Sequence, residues 1–416
     1  MQVYLVGGAV RDALLRLAVK ERDWVVVGST REDLLRLKYR EVGRDFPVFL
    51  HPESHEEYAL ARRERKVAPG YRGFTVEFGP EVTLIEDLAR RDLTINAIAQ
   101  GSDGTHIDPY GGVRDLEARV LRHVSEAFSE DPVRILRVAR FAARFAPLGF
   151  SVAPETLDLM RSMVDRREID SLVAERVWIE TEKALNSARA SEFFRVLRDC
   201  GALQRIYPEI DALFGVPQPP EWHPEIDTGV HTLMVLDQAS LLSQDSRTRF
   251  AALVHDLGKG STPRAEWPRH RGHEERSVAL IDALASRLRI PSEYRDLGVI
   301  VARFHGIVHR AFELRAKTIL EFLERSDALR RPERFAQALL ACEADARGRT
   351  GLELKPYPQR PYISAARDAA AAIKPSPEEV AARTGPEIAE HLRRQRLHAI
   401  EALRHVPTAC DANPEA

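Results

Sequence analysis

Glu21 and Asp23 flank Arg22 at the entry to the apolar run Trp24–Val27. The alternation of a strand there puts both carboxylates on one side and the guanidinium on the other. Two hard oxygen ligands suit Mg²⁺, and Mg²⁺ beside a triphosphate is an arrangement for phosphoryl transfer. A place for the triphosphate lies just upstream, in LVGGAVRD from Leu5 to Asp12. That stretch predicts a short strand (Val3–Val6), a Gly7–Gly8 turn and a helix from about Ala9. Gly8 lets main-chain N–H groups approach a phosphate without a side chain in the way. The helix that follows points its positive end at the same spot, and Arg11 in its first turn offers a charged fork. A surface turn explains a lone Gly-Gly, and solvated edge charges explain a lone acidic pair. The ordered run strand, Gly-Gly, helix, acidic pair, apolar strand points instead to a site.

A second set of chemistry-bearing residues lies in the other half of the chain. Of 14 histidines, seven fall between His223 and His309. His231 opens a helical stretch, His255–Asp256 end the apolar run RFAALVHDLGKG, and Asp345 comes later in ACEADARGR. Imidazoles mixed with carboxylates suit a transition metal more than Mg²⁺ alone: Ni²⁺ is the first candidate, with Mn²⁺ or Fe as others. Such a metal promotes phosphoester hydrolysis. A single buried His-Asp pair is commonly structural; His231, His255, Asp256 and Asp345 in this order argue for a metal site. His273 and His305 are open as further ligands or as phosphate contacts.

Between these sets lies Glu130–Arg144, EDPVRILRVARFAAR. Pro132 suits a first helical turn. Arg134, Arg137, Arg140 and Arg144 recur every three or four residues and share a broad helix face. Ile135, Leu136, Val138, Ala139 and Ala142 supply much of the buried side. No acid lies among the arginines, so they repel one another unless an anion joins them.

The elements that hold these residues change character along the chain. Up to about Gln100, strands and helices mix: Trp24–Val27, Val48–Leu50 and Tyr58–Ala61 have strand character, and Thr30 caps a short helix to Leu37. Residues 43–47 and 69–73 read as loops, the second within a basic, mobile segment 62–72. Glu57 is either a third carboxylate for the metals or a solvated strand end. In RRDLTINAIA, Arg90, Arg91 and Asp92 precede an expected helix whose Leu93, Ile95, Ala97 and Ile98 pack inward. From about Leu116 the chain reads as helical. Prolines between Pro208 and Pro224 mark a linker, LKPYPQRPYI (Leu354–Ile363) a second, followed by helical stretches at 367–373 and 387–403. Residues 407–416 read as a disordered tail. The expected fold class is α+β: a mixed head (1–115), a helical neck and body (116–222), a helical histidine-rich domain (223–350) and a helical tail (351–416).

Composition bounds the functions. With 44% hydrophobic and 30% charged residues the chain is an ordinary globular protein, and its net charge of −2 leaves any nucleic-acid surface to a local patch. Three cysteines, Cys200, Cys342 and Cys410, have no metal spacing and fit a reducing compartment. No segment approaches a membrane span, and Arg11 and Asp12 interrupt a signal-peptide pattern. A cytoplasmic monomer or homodimer is expected.

GGAVRD followed by the Glu21/Asp23 strand resembles the polymerase-β-type nucleotidyltransferases, and within them the tRNA CCA-adding enzymes and their poly(A) polymerase relatives. RRDLTINAIA and EDPVR are similar to further motifs of that family, and His231, HDLGK and Asp345 resemble the HD phosphohydrolase superfamily. Together they cover the chain from Val3 to about Pro407 and look like the long bacterial class II CCA-adding enzymes that carry an HD domain. The resemblance implies addition of C, C and A to the tRNA 3′ end from CTP and ATP. It implies Mg²⁺ on Glu21 and Asp23, and nucleotide binding by Gly8, Arg11, Arg91, Arg137 and Arg140. Asp131 and Arg134 would read the base. The HD domain would act as a metal-dependent phosphatase, 2′-nucleotidase and 2′,3′-cyclic phosphodiesterase. A poly(A) polymerase, an HD hydrolase with a non-catalytic head and a tRNA-binding protein without catalysis are the alternatives.

Overall fold

The computed structural model describes residues 1–42, 48–66, 74–382 and 384–403. The expected loops at 43–47 and 69–73 and the tail 407–416 lie outside them. By its contacts the chain divides into two units, Met1–Ile206 and Tyr207–Ala416.

The first unit begins β1 (Gln2–Val6), α1 (Gly8–Leu14), β2 (Asp23–Val27), α2 (Arg31–Arg36), β3 (Arg40–Val42), β4 (Val48–Leu50), β5 (Glu57–Leu60), β6 (Arg62–Lys66), β7 (Phe74–Phe78), α3 (Leu84–Ala89), β8 (Ala99–Gln100), β9 (His106–Ile107) and α4 (Gly112–Ala118). Seven strands form one sheet in the order β3-β4-β5-β2-β1-β8-β9. β2 pairs antiparallel with β1 and parallel with β5. Because side chains alternate across a strand, Val25 and Val26 of β2 enter different cores. Val25 joins Val6, Leu84, Leu88, Ala97 and Ala99, while Val26 joins Leu34, Phe49, Tyr58 and Leu60. This explains the unbroken apolar run: β2 is covered on both faces. Thr30 caps α2 in a capping box with Asp33, as its hydroxyl chemistry predicts.

Two local expectations are corrected. The segment after Asp92 is not a helix but a 3₁₀ turn, Thr94–Asn96, leading into β8; the helix is α3, ahead of the arginines, where Thr83 and Glu86 form a capping box. Leu93, Ile95, Ala97 and Ile98 are nevertheless fully buried. The first part of the basic segment 62–72 is the strand β6, paired antiparallel with β7.

The unit continues with β10 (Val120–Leu121), α5 (Val133–Phe145), β11 (Ser151–Val152), α6 (Pro154–Asp165), α7 (Ala174–Leu185), α8 (Ser191–Asp199) and α9 (Ala202–Ile206). α5 buries the predicted Ile135, Leu136, Val138, Ala139 and Ala142 and packs on α7 and α8.

The second unit is helical: α10 (Pro208–Asp211), α11 (Thr228–Leu242), α12 (Ser246–Val254), α13 (His273–Leu288), α14 (Ser292–His309), α15 (Ala316–Arg325), α16 (Pro332–Arg347), α17 (Gln359–Ala372), α18 (Pro377–Ala382) and α19 (Gly385–Leu403). Residues 208–224, expected as a linker, fold into this unit: α10 lies within them, Lys259 Nζ donates to Gln218 Oε1, and His270 Nε2 bonds to the Pro217 carbonyl. The expected 354–363 linker already contains the start of α17. α11, α12, α14 and α16 pack together around an apolar core that includes Val235, Ala251, Leu297, Phe304 and Ala341.

Candidate functional site

The register of β1 on β2 places the phosphate cradle beside the carboxylates, because Val6 pairs with Asp23 and the Gly7–Gly8 turn follows Val6 directly. Gly7 has φ +69°, and a Cβ there would stand 2.8 Å from Arg91 Nη1. The backbone conformation therefore favours glycine here, and the Arg91 guanidinium lies directly over it. The strand starts at Asp23, so Glu21 sits in the loop before it rather than on the pleat. Both carboxylates still line one open cleft of about 510 Å³ with Lys20, Arg22, Glu56 and Glu57. Glu57 lies directly across from Asp23 in the parallel β2–β5 register. Asp23 meets solvent, yet the loss of surrounding water pushes its carboxyl up; Arg91 opposes that shift and the like charge of Glu21 adds to it. A bound cation relieves such a pair, so the donor set fits Mg²⁺.

Arg91 is held by Asp87 Oδ2 at 3.2 Å and by the Asn96 carbonyl at 3.3 Å. Arg11, expected to offer a charged fork, is buried. Its guanidinium bonds to Asp12 at 2.9 Å and to Asn96, and lies 5.1 Å from the ring centres of Phe141 and Phe145. It clamps α1 to α5 behind Gly8.

The arginines of α5 do not wait for an outside anion; the protein supplies the partners. Arg137 Nε bonds to Asp92 at 2.6 Å, Arg140 pairs with Glu180 of α7, and Arg144 reaches Asp12 of α1 at 2.8 Å. Arg134 donates to the carbonyls of Ala127 and Arg90 at 2.7 and 2.6 Å. Asp131 receives a fork from Arg176 of α7 at 2.7 and 3.2 Å. Burial works against a charge on Asp92, but Arg137 and the Asn96 amide outweigh it and hold its carboxyl far below the usual range. The expectation of mutual repulsion fails because these acids come from elsewhere in the chain.

In the second unit α11 delivers His231, the end of α12 delivers His255 and Asp256, α13 starts with His273, α14 carries His305 and His309, and α16 carries Asp345. Two groups of ligand atoms, each lying within 4.8 Å of one another, result: His231, His255 and Asp345; and Asp256, His273 and His305. The Nδ1 atoms face acceptors in the protein. That of His255 meets the Ala252 carbonyl at 2.8 Å, that of His273 the His270 carbonyl at 2.8 Å, and that of His305 the Val301 and Ala302 carbonyls at 3.1 Å. Each Nδ1 therefore carries a proton, and Nε2 is the nitrogen each ring turns inward.

The Nε2 atoms of His273 and His305 stand 3.4 Å apart, and both approach Asp256 Oδ1, at 3.2 and 3.6 Å. His255 Nε2 and Asp256 Oδ1 are buried without a hydrogen-bond partner. Burial works against a charge on His255, yet Asp256 and Asp345 overcome it and push the imidazole up to about 10. The place wants a cation, which a metal supplies by displacing a proton. The donor set, nitrogen with carboxylate oxygen, fits a transition metal.

Other residues of this site had no role assigned from sequence. His309 Nε2 bonds to Asp345 Oδ2 at 2.6 Å and its Nδ1 to the Tyr357 hydroxyl at 2.8 Å. Lys259 Nζ meets Asp256 Oδ2 at 2.6 Å. The four-residue spacing of His305 and His309 on α14 marks them as facing the same way; Tyr357, inside an apparent linker, left no signal.

Residues 3–122 match the model of the poly A polymerase head domain, residues 149–214 that of the probable RNA and SrmB-binding site of polymerase A, and residues 228–349 the HD domain. The fold is similar to that of the Bacillus stearothermophilus CCA-adding enzyme in complex with CTP, with TM-score 0.61 and 22% identity over 96% of this chain and 89% of that one. Fold and site together define a nucleotidyltransferase head joined to an HD domain, both of metal-dependent classes. The chain is 64% identical to the multifunctional CCA protein of Thioalkalivibrio sulfidiphilus over 97% of its length and 99% of the relative's. It is 62% identical to that of Nitrosococcus oceani over 97% and 99%. It belongs to the multifunctional CCA proteins, CCA-adding nucleotidyltransferases that carry an HD domain.

Proposed function

We propose that the head adds C, C and A in turn to the 3′ end of tRNA from CTP and ATP, and that the HD site hydrolyses phosphoesters of the kind left at damaged 3′ ends. The observation that carries the head's role is the Val6–Asp23 register, which sets the Gly7–Gly8 turn next to Asp23; Arg91 lies over Gly7, and Glu21 and Asp23 line one cleft. Gly8 and the α1 N-terminus receive the triphosphate, with Arg91 as the neighbouring cation. Glu21 and Asp23 hold two Mg²⁺, with Glu57 beside them. Bound Mg²⁺ supplies acidification of the attacking 3′-hydroxyl and charge neutralisation at the departing pyrophosphate.

Base choice falls to Asp131 and Arg134. A carboxylate accepts from the exocyclic amine of C or A, and a guanidinium donates to the adjacent ring acceptor. U and G present a carbonyl oxygen where that amine belongs, so a carboxylate pinned by Arg176 faces another acceptor and rejects them. Arg137 and Arg140, on the same helix, complete the sugar and phosphate contacts, and Arg11 braces the turn from behind.

His231, His255, Asp256 and Asp345 hold one transition metal at the HD site, Ni²⁺ or Mn²⁺, and Asp256, His273 and His305 offer a second position. The metal supplies the Lewis acidity that phosphoester hydrolysis needs. Lys259 holds Asp256 in place, and His309 does the same for Asp345. The two activities then serve one task in the cytoplasm: the HD site clears a 2′,3′-cyclic or 2′-phosphate, and the head extends the freed end. A tRNA ending in a 2′,3′-cyclic phosphate tests this. Wild type converts it to a CCA end, and His255→Ala stops before the first C; full repair by that variant would contradict the scheme.

A further inference from the structure

Glu225 takes no part in either centre above, yet the chain bends sharply to bring it inward. A bridge between Pro217 and Asp227 and a 2.8 Å hydrogen bond from Gln218 N to the Ile226 carbonyl close a tight loop. At its turn Ile226 has φ +61°, a conformation a β-branched residue rarely takes, and its side chain is exposed. Such strain persists where surrounding contacts dictate it. Here they hold the neighbouring Glu225, whose side chain is only 2% exposed.

Glu225 Oε1 lies 2.9 Å from His231 Nδ1 and 3.2 Å from His223 Nδ1, and Oε2 accepts from Thr350 N at 3.3 Å. The Gly348 carbonyl approaches the same His231 Nδ1 at 3.0 Å. Two acceptors thus converge on one ring nitrogen, which must carry the proton. The opposite nitrogen, Nε2, faces Asp345 Oδ1 at 3.1 Å and is the one free to ligate when a metal takes the place of its proton.

His223, Glu225 and His231 are also close enough to be read as a metal site of their own. The Gly348 carbonyl speaks against that. A metal on His231 Nδ1 would remove the proton this oxygen accepts, and the ring would have to ligate through both nitrogens as an anion.

We propose that Glu225 is the positioning residue of the HD metal centre: its carboxylate fixes the ring plane and tautomer of His231, so that Nε2 is presented as a ligand. This rests on the HD metal assignment above. A carboxylate behind a ligating imidazole commonly changes metal affinity by on the order of 10- to 100-fold.

Titration calorimetry of the full chain with Ni²⁺ tests the proposal, in a Glu21→Ala, Asp23→Ala background that removes the head carboxylates. Glu225→Ala lowers Ni²⁺ affinity by on the order of 10- to 100-fold, and Glu225→Gln, whose amide oxygen still accepts from Nδ1–H, recovers most of it. Both keep the parent's melting temperature within a few degrees of each other, which separates positioning from a fold defect. Parent-like affinity in Glu225→Ala, or no recovery in Glu225→Gln, overturns the proposal. So does loss of one Ni²⁺ per chain in Glu225→Ala with the remaining affinity unchanged, which would make the three residues a metal site. A parent that binds no Ni²⁺ would sink the HD metal assignment instead, and the positioning role with it.

Discussion

In the scheme proposed above, Asp23 and His255 stand at the centres of two separate chemistries, and each is set against its own solvation. Asp23 is pushed up by lost water and by Glu21, and His255 is pulled up by Asp256 and Asp345 against its burial. Both environments favour an added cation. Removing either side chain should therefore silence one activity alone. Asp23→Ala lowers C addition by several kcal/mol of transition-state stabilisation, on the order of 10³-fold, and leaves hydrolysis of 2′,3′-cyclic AMP unchanged. His255→Ala does the reverse. Single-turnover addition of labelled CMP, run beside the hydrolysis assay, reads both; parallel loss of the two activities in either variant would contradict the assignment.

At the scale of elements, α5 is fastened to the head by ion pairs rather than by apolar packing alone. Asp92 is almost fully buried and Arg137 keeps part of its surface in water, so Asp92→Asn costs toward the lower end of about 3–5 kcal/mol, read as a fall in denaturant midpoint. Because pairing lowers the folded-state pKa of Asp92, its contribution is complete above the unfolded value near about 4 and fades as pH falls below it. The acid-side stability loss of Asp92→Asn should accordingly be shallower than that of wild type; identical slopes would show that Asp92 carries no such linkage. Gly258, in the turn after the His-Asp pair, meets the His273 carbonyl so closely that a Cβ would overlap it. Gly258→Ala pushes α13, and His273 with it, off the HD turn at about 1–3 kcal/mol. Cyclic-phosphate hydrolysis falls while C addition stays; an unaffected hydrolysis rate would mean that His273 needs no such placement. The Gly7–Gly8 turn, β2 and the helix carrying the arginines were readable from sequence because their signals are local: glycine, alternation and a helical period. The arginines' partners were not, since Asp92 lies 45 residues from Arg137 and Asp12 lies 132 from Arg144. The helix misplaced after Asp92 has a similar cause: the apolar residues that looked periodic are buried by the sheet, and the Thr83/Glu86 box starts the real helix earlier. Tyr357 sits in a stretch that proline content marked as a linker and Glu225 just beyond another, and only packing reveals them.

Across the whole molecule, two units of different composition carry two metal-dependent chemistries on one chain. The first is a sheet with a helical extension; the second is helical throughout, and no helix among the described residues is long and apolar enough to cross a membrane. Among the described residues Cys200 and Cys342 are both buried and free. With a net charge of −2 the chain has no global attraction for RNA, and specificity must come from the site. That specificity is the central claim: a protein surface, with no nucleic-acid template, selects C twice and A once. The most direct measurement supplies tRNAs ending before CCA, after C and after CC, each with one labelled nucleoside triphosphate at a time. CCA addition predicts incorporation of C, then C, then A, and no further extension, and base choice by Asp131 and Arg134, as proposed, predicts that U and G are refused. Incorporation of U, or growth of long A tails, would contradict it.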